Sequence, residues 1–419
     1  MSGILFPRRE LEDFLDGGRN AIPSNIQREA AAIVEAVRLG GEDALKQLVT
    51  RFDGRDAGES IYLGPNVLQQ ALAAMPAEDR ARLERIAGRI EVFAQAQRES
   101  LLPVDLAVPG GTVGHRIDPV QAAGCYAPGG RYPLPSSVLM TAITARAAGV
   151  ASVWVASPQP AAITLAAAAV AGADGVLAAG GAHAIAALAF GVGPVPASDV
   201  VVGPGNLYVT AAKQLIAGDV AIDMLAGPSE LLVIADGNAD PAWIAADLLA
   251  QAEHDPEAIP ILLSLDAELI AEVEWALQSQ LETLPTADTA RKALAKGGSV
   301  VCSDVSQAAR LSDAIAPEHL QLSMTNAEKI VGRFNHYGAL FIGEHSAEVF
   351  GDYGVGPNHV LPTAGTARSR GGLSVLDFLR IRTWVRMDES TASTKMTEDS
   401  AWLARQEGLE AHARAAECR

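Results

Sequence analysis

The stretch ASVWVASPQPAAITLAAAAV (residues 151–170), continued by AGADGVLAAGGAHAIAALAF (171–190), decides the architecture. Its apolar runs at Ala151 to Ala156 and Gly175 to Ala178, with Asp199 to Val202 beyond, are brief and bounded by turn residues. They read as strands buried on both faces. Helical patterns lie among them, at Ser136 to Ala148, Pro160 to Val170 and Ala184 to Phe190. Alternation of this kind over about 110 residues predicts a βαβαβ unit with parallel strands.

A second series follows, with strands expected at Glu230 to Ala235, Ile261 to Leu265, Ser299 to Cys302 and Ala339 to Ile342. Helices are expected between them, at Trp243 to Ala252, Asp266 to Leu284 and Gln307 to Ala314. Before residue 100 the chain is charged and periodic, which predicts helices at Asn25 to Leu39, Glu42 to Phe52 and Glu78 to Leu101. After about residue 385 it is polar and helical. At 419 residues the chain exceeds the size at which one core stops growing. The expected fold is therefore α/β, with two Rossmann-like doubly wound domains at 121–228 and 229–384. N-terminal helices (1–120) are expected to pack with the second of these, and 385–419 forms a C-terminal helical arm.

Hydrophobic residues make up 49% of the chain and aromatics only 5%, a composition for α/β layers packed closely through small side chains. The net charge of −18 argues against nucleic acid as a partner, because phosphate binding needs a basic face. Cys125, Cys302 and Cys418 are an odd, scattered set, which points to a reducing compartment and not to a disulfide framework. The opening MSGILFPRRE meets charge by Arg8 and is not a secretory signal; Ala161 to Ala173 is too short to span a bilayer. A cytoplasmic protein that uses no membrane is the expectation.

One run, Asp240 to Pro256, stands out chemically. Asp240 suits an N-cap, Pro241 the first helical position, and Pro256 forbids continuation. Gln251 and His254 close this helix three residues apart, on one face, and can aim an oxygen and an imidazole nitrogen at a common point. A solvated helix end would look the same. Five glycine- or turn-rich loops accompany the strands: Gly124 to Arg131, Gly180 to His183, Gly203 to Asn206, Ala226 to Glu230 and Gly351 to His359. Open α/β sheets bind ligands in such loops. The dinucleotide fingerprint GxGxxG is absent, since Tyr208 stands where the third glycine of Gly203-Pro-Gly205 would be. Glu318 and His319 set a carboxylate beside an imidazole, and adjacent side chains on a strand point apart. Asp352 and His359 flank a Gly/Pro loop, and Glu407 and His412 offer further oxygen and nitrogen ligands in the tail.

In order, these stretches resemble the histidinol dehydrogenase family from about Glu29 to His412. The resemblance is carried by Gly124-Cys-Tyr-Ala-Pro-Gly-Gly, Pro135-Ser-Ser-Val-Leu-Met, Val202-Gly-Pro-Gly-Asn and Asp223-Met-Leu-Ala-Gly-Pro-Ser-Glu. It continues through Ala250-Gln-Ala-Glu-His-Asp-Pro, Ala316-Pro-Glu-His-Leu, Gly351-Asp-Tyr with Gly356-Pro-Asn-His, and Glu407-Gly-Leu with His412.

The resemblance implies NAD-dependent, four-electron oxidation of L-histidinol to L-histidine through L-histidinal. It implies one zinc per subunit, held by Gln251, His254, Asp352 and His412, a set of oxygen and nitrogen donors without thiolate. Glu318 and His319 would be catalytic. Together with this pair and the four zinc ligands, Ser229, His359 and Glu407 would line the substrate pocket. Tyr126, His183 and Asn206 of the first domain would contact NAD, while zinc and the catalytic pair belong to the second. A homodimer with shared sites is implied, the arm carrying Glu407 and His412 into the neighbour. Two positions depart from the family pattern. His183 replaces a usual Gln, and Arg131-Tyr132-Pro133 is similar to paralogues that oxidise small anionic diols such as sulfopropanediol, the alternative reading.

Overall fold

The computed structural model describes residues 5–15, 22–56, 58–129, 132–388 and 393–418, so Arg131 lies outside the described residues. Two parallel sheets form its centre. The first runs, edge to edge, Tyr62–Leu63, Gly175–Leu177, Ser152–Ala156, Ala122–Tyr126, Val200–Val202 and Ala221–Ile222. Only the short Tyr62–Leu63 edge is antiparallel. The chain starts at Ala122–Tyr126, winds outward, then returns to Val200–Val202 on the other side. That reversal opens a crevice beyond the carboxyl ends of these two strands.

The second sheet runs Gly298–Val301, Ile259–Ser264, Glu230–Ala235, His319–Ser323 and Ala339–Ile342, with every pair parallel. His319–Ser323 is a central strand that the hydrophobic pattern did not announce. Its buried Gln321 interrupts the apolar run. Burial is tolerated because the Gln321 amide donates to Asp247 Oδ2 at 2.6 Å and Ser323 Oγ at 3.1 Å.

The sequence expectations are corrected in two places. Residues 1–120 are not wholly helical: Val104–Val108 and Gly111–Pro119 pair antiparallel, and Leu379–Met387 joins them in a third sheet that crosses the expected boundary at 384. Close approach here needs glycine, since a Cβ on Gly114 would lie 2.0 Å from the Val104 carbonyl oxygen. The N-terminal helices, moreover, pack on the first sheet and not the second. Helix Ser24–Phe52, bent at Gly41, lays Ala30, Val34, Leu45 and Val49 against the alanine-rich helix Gly181–Phe190. Helices Pro65–Ala73 and Ala77–Glu99 press Leu68, Leu72, Leu83 and Ile90 into the core on the opposite face of the same sheet. Of the described N-terminal residues, Phe6 and Phe14, with Leu5 and Leu11 beside them, pack into the cores of the second sheet. The apolar stripe has gone where small side chains allow helices to approach.

Among the described residues no helix is long and apolar enough to cross a membrane.

Leu68 is 1% exposed and faces the helix Ala162–Val170. Leu68→Ala should lower unfolding free energy by about 2–5 kcal/mol through the transfer and cavity terms. Urea denaturation measures it; a loss below about 1 kcal/mol would contradict this packing.

Candidate functional site

The candidate site lies where the carboxyl edge of the first sheet meets the amino edge of the second. Glycine loops follow the strands of the first sheet as expected, yet the reactive groups of the second stand where its strands begin. Glu230 and His319 are the first residues of their strands. Helix Pro241–Ala252 links two parallel strands, so its carboxyl end returns to this same edge. Asp240 caps its start by accepting from the Ala242 N–H at 2.8 Å. Its other end carries partial negative charge, which favours a cation there.

A cavity of 280 Å³ at this junction is walled by Ser229, Gln251, His254, Glu318, His319, Glu348, Asp352 and His359. Gln251 is 1% exposed, and neither its Oε1 nor its Nε2 has a hydrogen-bond partner among the described residues. Such a group is costly to leave unsatisfied. His254 Nε2 lies 3.8 Å from Asp352 Oδ2. Asp352 stands on the short helix Val349–Tyr353, whose exit loop returns His359 to donate from Nδ1 to the Asp352 carbonyl at 3.2 Å.

Glu318 and His319 converge on the backbone of one residue, Glu230. Glu318 Oε2 accepts from the Glu230 N–H at 2.8 Å, and His319 Nδ1 donates to the Glu230 carbonyl at 3.0 Å. The expectation that they point apart therefore misses their shared anchor. His319 Nε2 has no hydrogen bond among the described residues and faces Glu348 Oε1 at 3.5 Å and Asp352 Oδ1 at 3.9 Å. One ligating atom from each of His319, Glu348 and Asp352 lies within 4.8 Å of the others. Burial lowers the pKa of His319 to about 4 and raises that of Glu318 well above the carboxylate range. Burial also raises Asp352 to about 7; Glu348, pushed further by the Asp352 charge, reaches about 8. Buried like charges of this density suit a cation.

Glu348, 1% exposed, was not anticipated. Its spacing of four from Asp352 was the available signal.

The first sheet's crevice holds a second cavity of 480 Å³ that brings together Tyr126, His183 and Asn206. Tyr126 Oη accepts from the Gly181 N–H at 3.1 Å, and burial raises its pKa to about 12. Asn206 Oδ1 caps helix Leu207–Ile216 through the Tyr208 and Val209 N–H groups, which leaves its amide hydrogens for a ligand. His183 Nε2 is already paired with Asp53 Oδ2 at 2.9 Å. Pro128 walls both cavities.

Glu407 and His412 are not brought to the site of their own chain. Both are exposed, at the junction and on the second helix of the arm formed by Thr394–Gln406 and Glu410–Glu417, which pack on each other through Ala401 and Ala413.

Comparison with known proteins decides the relationship. The histidinol dehydrogenase family model matches residues 19–419. The histidinol dehydrogenase of Thermus thermophilus is 45% identical over 398 residues, 94% of each chain. That of Ralstonia nicotianae is 43% identical over 404 residues, 94% of this chain and 91% of the relative. The chain belongs to the histidinol dehydrogenase family. A crystal structure of histidinol dehydrogenase from Elizabethkingia anophelis superposes with a TM-score of 0.93 at 31% identity, covering 100% of this chain and 98% of the other. An acetylating aldehyde dehydrogenase from Geobacillus thermoglucosidasius, 13% identical with a TM-score of 0.50, shares fold alone. The family comprises NAD-dependent oxidoreductases acting on a CH–OH group in histidine biosynthesis. These relatives lend no support to the small-diol alternative.

In chelator-treated protein, nitrogen-15 spectra should show His319 neutral at pH 6 with its proton on Nδ1, because burial depresses its pKa and the Glu230 carbonyl takes the Nδ1–H. An ordinary histidine would be mostly protonated there. A charged His319 ring at pH 6 would refute this electrostatic description.

Proposed function

We propose that this chain oxidises L-histidinol to L-histidine through L-histidinal, reducing two NAD per substrate, with one zinc per subunit. The observation that carries the reading is Gln251. A fully buried amide whose two polar atoms have no partner among the described residues, beside Asp352 and His254 in one cavity, fits a metal ligand and little else. Gln251, His254 and Asp352 would hold zinc together with the partner subunit's His412. When bound, the zinc would act as a Lewis acid that anchors the substrate's amine and imidazole. NAD, bound against Tyr126, His183 and Asn206, would supply the hydride acceptor.

His319 then acts through Nε2. The Glu230 carbonyl occupies Nδ1–H, so the lone pair faces the cavity and can take the alcohol proton as hydride departs. Glu318 draws a proton from the water that adds to the aldehyde, and its raised pKa makes it a stronger base once ionised. The resulting hydrate loses the second hydride, again with proton removal by His319. Ser229 and His359, with Glu407 and His412 from a partner, orient the polar ends of the substrate.

The reading includes a homodimer with shared sites, for which the structure leaves space. The arm extends from its own chain, while hollows of 680 and 820 Å³ flank Asp352. They leave room for a neighbour's arm. A cytoplasmic setting fits the three free cysteines, Cys125, Cys302 and Cys418.

Purified, zinc-loaded protein should form two NADH per L-histidinol and none with sulfopropanediol. Zinc-replete protein that leaves histidinol untouched would sink the assignment. His319→Asn should lower kcat by about 10²–10⁴-fold while zinc content stays unchanged. Mixing His319→Asn with His412→Ala subunits should restore part of the activity, because one site of the mixed dimer keeps both residues. No recovery after subunit exchange would refute the shared site.

A further inference from the structure

Lys213 and Asp223 form a salt bridge sealed from solvent, their residues 2% and 1% exposed. Lys213 sits on the inward face of helix Leu207–Ile216, and Asp223 follows the edge strand Ala221–Ile222. Together they grip both polar groups of one residue. Lys213 Nζ donates to the Gly203 carbonyl at 3.0 Å, and Asp223 Oδ2 accepts from the Gly203 N–H at 2.8 Å. Asp223 Oδ1 also accepts from the Met224 N–H at 2.7 Å, and Arg370 donates to the Asp223 carbonyl.

The gripped residue has little freedom of its own. Gly203 has a φ of +117°, and a Cβ there would lie 2.1 Å from the Tyr126 carbonyl oxygen. The segment it begins separates the two cavities. Gly203, Pro204 and Gly205 wall the 280 Å³ cavity, and Asn206 walls the 480 Å³ cavity. Met224, held by the same carboxylate, walls the first. Buried ion pairs are commonly replaceable by apolar residues without loss of fold, so a pair retained here points to a need for position.

We propose that Lys213 and Asp223 are positioning residues for the oxidation. By clasping Gly203 at both its polar groups they fix the partition Gly203–Asn206, and with it the alignment of the alcohol carbon against the hydride acceptor. This rests on the function proposed above. It assigns the pair no contact with substrate, and its effect is transmitted entirely through backbone.

The test compares wild type with two full-length, zinc-loaded double variants. K213M/D223L replaces the pair with apolar side chains, whereas K213M/D223N keeps a carbonyl acceptor for the Gly203 N–H. In K213M/D223L, kcat should fall about 10–100-fold, the scale on which slight misplacement acts, while KM for histidinol stays within about threefold. Melting temperature and zinc content should hold, and K213M/D223N should be intermediate in kcat. Full kcat in folded K213M/D223L would overturn the inference, as would a rate loss that merely tracks the loss of folded protein. Failure of both double variants to fold would overturn it too, because the pair would then be a requirement of the core. Wild type inactive on histidinol would remove the functional reading itself; an active wild type beside an equally active variant removes only the clasp.

Discussion

The backbone of a single residue organises the reactive half of this molecule. The N–H of Glu230 holds Glu318 and its carbonyl holds His319, at 2.8 and 3.0 Å. Glu230 opens its strand, and these groups bond side chains at the neighbouring strand's leading end. Its carboxylate adds a third tie, accepting from the N–H of Ala364 at 3.1 Å. Ala364 has a φ of +55°, a left-handed conformation that a non-glycine residue keeps only where its surroundings enforce it. The loop that returns His359 is thereby bound to the strand that anchors His319. A net hydrogen bond is worth only about 1 kcal/mol, but a buried polar group left unmade costs about 1–3. The arrangement holds because each alternative orphans a buried atom.

The same accounting explains why the site lies between the sheets. The first sheet offers amide-rich glycine turns at its carboxyl edge, where a dinucleotide's negative charge is welcome. The second offers a helix carboxyl end and the buried carboxylates Glu318, Glu348 and Asp352 at its amino edge, where a cation is welcome. Facing these edges brings anion-seeking and cation-seeking surfaces to one junction. Pro128, which walls both cavities, marks the seam. Neither sheet alone carries both polarities.

What the sequence disclosed follows from how local each signal is. The alternation of strand and helix from Ala151 onward is local, and so is the spacing that puts Gln251 and His254 on one helix face. Strand His319–Ser323 was hidden because Gln321 is polar, and its burial is made tolerable by Ser323 and by Asp247, 74 positions away. The third sheet was hidden because Arg380, Arg382 and Arg386 make Leu379–Met387 read as a solvated segment, as its largely exposed side chains confirm. The packing of the N-terminal helices was misjudged for a different reason. An apolar stripe announces that a helix is buried but not against what, and the alanine surface of Gly181–Phe190 decided the matter. Glu407 and His412 stand exposed on the arm, away from the site of their own chain, so nothing in their local sequence marks them.

His183 shows how a residue identified by resemblance acquires its meaning from structure. Read as a substitute for an amide, it promised a hydrogen bond to the cofactor. Its Nε2 instead meets Asp53 Oδ2, and that same oxygen accepts from the Gly180 N–H at 3.1 Å. Phe52 stacks beside the ring, with centroids 6.0 Å apart. Through Nε2 the imidazole therefore fixes the glycine turn that begins helix Gly181–Phe190, the same turn whose Gly181 N–H reaches Tyr126 Oη. Tyr126 and the helix amides are held at the cavity wall by a carboxylate from the N-terminal helical segment. The segment that the pattern assigned to the other sheet thus helps shape this cavity, and its packing on the first sheet is what makes that possible.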